Sequence, residues 1–312
     1  MRLSDLKRQY LEGALPKPDY IAKAFERHEA LFEYAGLLGA TDVERLEISA
    51  GKVVATLKPW GIRMRVPAGD IRSIPIDALN FGAFEAAERD LMLEVLRLLG
   101  ARTLFDVGAN HGYYALQFVR ALPTLHVHAF EPVPQTRATL DENLAMNAAT
   151  ERVTVHQLGL GDAAGVLRFY VPREMSVNAS AANVGDRPDA LVVECEVTTV
   201  DAFVAKTGTR PDFIKCDVEG FELQVFQGAK ATLASARPAV FAEMLRKWSA
   251  RFHYHPNDII SLFDGLGYAC FALGRRGVRP FTRMTDETEE TNFFFLHPDA
   301  HARCIAALTG GA

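Results

Sequence analysis

From residue 102 onward, short apolar runs alternate with stretches whose apolar residues recur every three or four positions. "RTLFDV" leads to "GYYALQFVRAL", "HVHAFE" to "PQTRATLDENLAMNA", "DFIKCDV" to "FELQVFQGAKATLAS", and "AVFAEM" to a looser stretch and "NDIISLFDGLG". After the second pair, "VTVHQLGL" reads as a third strand, followed by a Gly-punctuated excursion with strands of its own, "VLRFYV" and "LVVECEVTTV". Apolar strands alternating with amphipathic helices predict a mostly parallel sheet covered on both faces. The chain closes on "YACFAL" and "TNFFFLH", which have a loop but no helix between them. Without a crossover helix, that pair is expected as an antiparallel hairpin.

Residues 1–80 follow another pattern. Ile21, Phe25, Phe32 and Ala35 fall near helical spacing after Pro16 and Pro18, and Gly36 and Gly39 close the segment. "VERLEISAGKVVATLKPWGIRMRV" alternates in short runs broken at Ala50-Gly51 and Pro59-Trp60-Gly61, the pattern of a three-stranded antiparallel meander. A helix from about Phe84 to Leu99, stopped by Gly100, leads into the alternating part. The expected division is therefore 1–80, a small N-terminal helix and meander, and 81–312, the α/β domain. The first part carries no motif and is expected to serve oligomerisation or act as a lid.

Composition narrows the class. Of 312 residues, 49% are hydrophobic and 23% charged, ordinary for a globular protein, and a formal charge of −5 argues against nucleic acid as a partner. Cys195, Cys216, Cys270 and Cys304 are widely separated, so neither a disulfide framework nor a zinc site is expected. No apolar run is long enough to span a bilayer and the N-terminus has no apolar leader pattern, so a cytoplasmic protein without membrane insertion is expected.

The chemistry begins at "TLFDVGANHGYY". Phased on Gly108, the dinucleotide fingerprint G-x-G-x-x-G requires glycine at Asn110 and Tyr113, and neither position fits. The pattern acid-x-Gly-x-Gly-x-Gly fits Asp106, Gly108, Asn110 and Gly112, with only the middle glycine replaced, by a residue that tolerates left-handed backbone. That pattern belongs to S-adenosylmethionine (SAM) sites. Turn N–H groups and the next helix N-terminus can meet the methionine carboxylate of SAM. Glu131 ends the following strand, where a carboxylate can accept from both ribose hydroxyls. "LGLGDAAG" places Gly161 and Asp162 at the end of the third strand, where Asp162 can accept from the adenine amino group. Five parallel strands ending in a hairpin then fit the Rossmann-like class I methyltransferase fold, with seven strands, better than the six-parallel dinucleotide fold.

In open α/β sheets, ligands lie beyond the carboxyl ends of the strands. There "KCDVEG" gives Asp217 and Glu219, and "FAEM" gives Glu243. Such carboxylates suit a hydroxyl nucleophile, which must lose a proton as it attacks; alternatively, Asp217 and Glu219 cap the next helix. Three acids at one rim can also hold a cation, but no dense D-x-D pattern supports one and no metal is assigned. His253 and His255 are the alternative bases. Lys215, inside an apolar strand, has no role legible in the sequence beyond pairing with a carboxylate.

"DVGANHGYY", "FEPVPQT", "LDENLAMN" and "FIKCDVEGFELQVFQGA", in this order, resemble the FkbM family of SAM-dependent methyltransferases. "RPAVFAEM" is similar to that family's next strand, and "LNFGAFEAAERD" to the segment preceding its first, which places Glu85 near the methionine end of SAM. "SVNASAAN" loosely resembles a Ser-rich stretch of the family. The resemblance implies an O-methyltransferase acting on a saccharide or hydroxylated metabolite, with SAM held by Glu85, Asp106, Gly108, Asn110, Gly112, Glu131, Gly161, Asp162 and Asp217. Asp217, Glu219 and Glu243 are then the expected catalytic carboxylates, and a small-molecule or glycan hydroxyl the acceptor. The rival readings are an NAD(P)-dependent oxidoreductase and a SAM-binding module without catalysis.

Overall fold

The computed structural model describes residues 1–175, 179–274 and 277–310. The first three residues of "SVNASAAN" thus lie outside the described residues. The meander forms as expected: β1 (Val43–Ser49), β2 (Lys52–Leu57) and β3 (Ile62–Arg65) pair antiparallel in that order. Three helices precede it, Leu3–Leu11, Lys17–His28 and Ala30–Leu38, rather than one. Asn143 and Asn147, on the helix Pro134–Met146 and its C-cap, hold the far side of β3: their side-chain oxygens accept from the Arg65 and Arg63 amides at 2.8 Å.

The alternating part builds the main sheet from β4 (Thr103–Val107), β5 (His126–Phe130), β6 (Val153–His156), β10 (Phe213–Cys216) and β11 (Ala239–Glu243), all parallel. Between β6 and β10 a separate sheet pairs β7 (Gly159–Leu160) and β8 (Gly165–Val171) on either side of β9 (Leu191–Thr198). β12 (Ala269–Gly274), β13 (Gly277–Phe281) and β14 (Asn292–Leu296) complete the main sheet, whose order is β13-β12-β14-β11-β10-β4-β5-β6. This is the class I methyltransferase arrangement, an α/β Rossmann-like fold with the last strand inserted antiparallel between β11 and β12. β12 and β14 pair as the expected hairpin. The sheet has eight strands instead of seven, because β13, in the connecting loop, adds to the outer edge of β12.

The central strands β4, β10, β11 and β14 are buried on both faces because each face has its own core. One face packs Leu104, Val127, Phe213, Phe241 and Phe294 against the helices Ala86–Leu99 and Tyr113–Ala121. The same cluster includes Val43, Ala55, Ile62 and Met64 of the meander, so residues before 80 share a core with the sheet. The other face packs Phe105, Phe130, Ile214, Val240 and Phe295 against Phe203, Phe226 and Phe263. Phe203 lies on a helix the sequence reading missed, Val200–Thr207. The helix expected over "FELQVFQGAKATLAS" is two, Glu222–Gln227 and Lys230–Ala236. The break is at Gly228, where a Cβ would stand 2.0 Å from the carbonyl oxygen of Gly161.

Candidate functional site

The turn after β4 is shaped by contacts that exclude side chains. Gly108 has φ +77°, and a Cβ there would lie 1.9 Å from the backbone oxygen of Asp217, so the main chains at the exits of β4 and β10 come into direct contact. Asn110 takes the left-handed conformation at φ +48°, as its place in the glycine pattern anticipates. Gly112, at φ +83°, is the N-cap of the helix Tyr113–Ala121 and packs against Leu140. The Asn110 amide donates to one carboxylate oxygen of Glu131 at 3.0 Å, and the Val133 amide to the other at 3.0 Å. Burial pushes the Glu131 carboxyl up to about 7, although both amide bonds pull it down.

Lys215 acquires a role. The residue is 3% exposed, and its ammonium donates to the Gly108 carbonyl at 3.1 Å and pairs with Asp217 at 3.3 Å and Asp106 at 3.7 Å. It also lies 5.4 Å from the centre of the Tyr114 ring. Burial opposes its charge, yet Asp217, Asp106 and Glu85 hold its pKa above the ordinary value. Asp106 is buried below the turn, with burial raising its pKa against the pull of Lys215. Lys215 thus ties the turn to the rim and neutralises part of an acidic cluster.

Four carboxylates face the space above. Glu85, left-handed at φ +41°, accepts from the Tyr114 hydroxyl; burial and then Asp217 push it up to about 7. Glu219 and Glu243 are raised well above the ordinary value, each by burial first and by Asp217 second. One oxygen from each of Asp217, Glu219 and Glu243 lies within 4.8 Å of the others, a spacing that a single cation could bridge. Carboxylates this close resist ionising together.

These groups meet in one cavity of about 300 Å³. It is lined by Gly108, Asn110 and Glu131 from the exits of β4 and β5, by Asp217, Glu219 and Glu243 from the exits of β10 and β11, and by Glu85. Asp106 and Gly112 stay beneath the lining as supports. Gly161 and Asp162 are not brought in: Gly161 is fixed by packing against Gly228 and Phe221, and Asp162 is exposed in the turn before β8. His253 and His255 are exposed and outside the lining, and His255 caps the helix Pro256–Asp264 through Nδ1.

Several lining residues escaped the sequence reading. Arg72, Ile74 and Asp77 come from the segment after β3, Phe169 from β8, and Lys247 and Trp248 from the turn of helix after β11. The Arg72 guanidinium holds Asp77 through Nε at 2.9 and 3.0 Å, and the Ile71 amide donates to the Glu174 carbonyl at 2.8 Å. Residues before 80 therefore form a wall of the cavity. No local pattern marks them, because only the tertiary fold brings them to the mouth of the sheet.

A family model described as the methyltransferase FkbM domain matches residues 106–270. Methyltransferase sdnD of Sordaria araneosa is 30% identical over 153 residues, covering 40% of this chain and 59% of that protein. The 2-O-methyltransferase NoeI of Sinorhizobium fredii is 24% identical over 148 residues, covering 43% of this chain and 60% of that protein. The chain thus spans about three-fifths of the length of these curated relatives. A solved methyltransferase FkbM from Methylobacillus flagellatus KT aligns at a TM-score of 0.40 and 19% identity, over 62% of this chain and 43% of that one. Among the described residues no helix is long and apolar enough to cross a membrane.

Proposed function

Because the chain belongs to the FkbM methyltransferase family, we propose that it transfers a methyl group from SAM to a hydroxyl of a saccharide or polyol-like acceptor. The observation that carries this reading is the convergence of Asp217, Glu219 and Glu243 in the same cavity as the Gly108 turn. SAM fits that cavity by charge. Its sulfonium and ammonium groups relieve the repulsion among four carboxylates, whereas the pyrophosphate of NAD(P) would add to it. Glu131, with a lone pair left on each oxygen, would hold the ribose, Glu85 and Asp217 the ammonium, and the turn amides the carboxylate. Bound there, SAM supplies an electrophilic methyl group on a positively charged sulfur. Glu219 or Glu243 would accept the acceptor's proton, a task suited to carboxyls whose proton affinity is raised. That NoeI is by name a 2-O-methyltransferase favours oxygen as the nucleophile. We further propose that residues 1–80 act as a fixed wall of the acceptor mouth.

Calorimetric titration with SAM against NADH tests the cofactor. A screen of sugar nucleotides and glycans for release of S-adenosylhomocysteine tests the acceptor class. Binding of NADH and not SAM would overturn the proposal.

Glu131→Ala is expected to weaken SAM about ten- to a hundredfold, the loss of about 1.5–3 kcal/mol of bonding to a charged acceptor. Two amides also lose their partner, so thermal stability should fall with affinity. Glu131→Gln, which keeps one oxygen, should recover part of each. Parent-like affinity in both variants would remove Glu131 from the ribose site.

A pH dependence follows. Glu85 and Glu131 are raised in the folded protein from 4.5 to about 7. The native state then holds protons more tightly than the unfolded chain. Their stabilising contribution is full below about 4.5 and is lost as pH rises through about 7. The protein alone should melt at a lower temperature at pH 8 than at pH 5.5. Saturating SAM should narrow the gap, and binding should release protons, read as heats that vary with buffer ionisation enthalpy. A flat melting profile over this range would refute the assignment.

A further inference from the structure

The turn carrying Asp217 and Glu219 leaves β10 by an unusual path. Glu219 has φ +56° and Gly220 φ +100°, two left-handed residues in succession. Such a path leaves amides without strand or helix partners, and buried amides need acceptors. The amides of Val218 and Gly220 both donate to Oε1 of Glu222 at 3.0 Å, and Glu222 is only 2% exposed. Its other oxygen lies 3.1 Å from the hydroxyl of Tyr254, which is also 3.0 Å from the Gly220 carbonyl. With a single proton, that hydroxyl donates to one of these at a time.

Tyr254 does not belong to the β10 turn. It comes from the connection after β11, beyond the helical segments Arg246–Ser249 and Ala250–Phe252. Trp248 of the same connection presses on the turn, since a Cβ on Gly220 would stand 2.8 Å from the Trp248 carbonyl carbon. The strand that feeds this connection ends in Glu243. A buried carboxylate and a tyrosine therefore join the two chain exits that carry the facing acids.

We propose that Glu222 and Tyr254 are a positioning pair, a buried clamp outside the cavity that fixes the β10 turn against the β11 exit so that Glu219 and Glu243 converge. The proposal rests on the reading of these acids as the acceptor rim, and its test needs neither SAM nor an acceptor. A clamp of this kind differs from ordinary turn stabilisation in what it does to the rim. Glu219 is faced by Asp217 and Glu222 from its own turn, by Lys215 of β10, by Lys247 after β11 and by Arg72 after β3. Glu243 feels Asp217, Glu219, Glu85 and Glu222. Loosening the clamp lets the two acids separate and relieves their mutual repulsion. Neutralising Glu222 removes its own repulsion on each acid without loosening anything, because a glutamine oxygen still accepts both amides.

The experiment is carbon-detected NMR titration of the full chain with side-chain carboxyl-labelled glutamate, with resonances identified in Glu219→Gln and Glu243→Gln. In Tyr254→Phe, which changes no charge, the midpoints of both acids are expected to fall by about one pH unit as their mutual repulsion weakens. In Glu222→Gln the Glu219 midpoint should fall while the thermal midpoint stays near that of the parent. Glu222→Leu, which leaves both amides without an acceptor, should lose stability, and Gln at the same position restores it. Parent midpoints in Tyr254→Phe would overturn the proposal, because the hydroxyl then holds only its own loop. If the midpoints move but Glu219→Gln and Glu243→Gln transfer methyl at the parent rate, the clamp stands and the assignment of the rim fails.

Discussion

Gly108→Ala is expected to abolish SAM binding and to cost about 2–5 kcal/mol of stability. The figure sums a left-handed residue gaining a Cβ, about 1–2 kcal/mol, and overpacking, about 1–3 kcal/mol. The added carbon would stand 1.9 Å from a backbone oxygen, that of Asp217, so no rotamer change relieves it. Either the β4 turn or the β10 exit must move, and each movement displaces the Lys215 bond to the Gly108 carbonyl. Gly112→Ala makes the comparison. There the added carbon meets a Leu140 methyl at 2.3 Å, the end of a side chain that can rotate away, so a smaller loss with SAM binding retained is expected. Denaturant unfolding and calorimetry on both variants decide the matter. If Gly108→Ala binds SAM with parent affinity, the close approach of the two exits has no bearing on the cofactor.

Glu219→Gln and Glu243→Gln are each expected to slow methyl transfer about a hundredfold or more, within the 10²–10⁴ usually attributed to a positioned base. Both replacements keep shape and remove charge, so SAM should still bind, with Glu85 and Asp217 left to meet its ammonium. The double variant should lose much less than the product of the single losses, because groups that act as a unit are not additive. Single-turnover transfer at saturating SAM measures the step directly, and repetition after chelation separates a proton acceptor from a cation ligand. Transfer at the parent rate in both single variants would leave these acids as supports of the turn.

Much of this site was legible because it is built from strand ends and the turns that follow them. Asp106, Gly108, Asn110, Gly112 and Glu131 lie within 26 residues along the chain, and their spacing alone encodes the turn. Gly161 and Asp162 follow the lining residues Gly159 and Leu160 but are not themselves in the lining. Their spacing gave no sign of the close contact of Gly161 with Gly228, nearly seventy residues away. Arg72, Trp248 and Tyr254 carried no local sign, since their neighbours in space are distant in sequence. The helix Val200–Thr207 did carry one: Thr199 accepts from the Ala202 amide at 2.9 Å and Gly208 closes the C-terminus at φ +72°. The Thr199 cap was hidden at the end of a longer β-branched run, residues 191–200. β13 was hidden by the exposed, charged residues that surround it.

β14 sits between β11 and β12 although it follows both in sequence. During synthesis, β11 therefore leaves the ribosome with one edge open. Its partner, residues 292–296, emerges about fifty residues later. Until then β12 has no place beside β11 except by a pairing that β14 must later undo. An unpaired edge of this apolar strand is a site for wrong association, so the nascent protein is most vulnerable just before β14 arrives. Glu243 ends β11, and its register with Asn292 is set by that same insertion. The Gly108 turn can form with the first half of the sheet, but Glu243 is locked in place only when the last strand slots in.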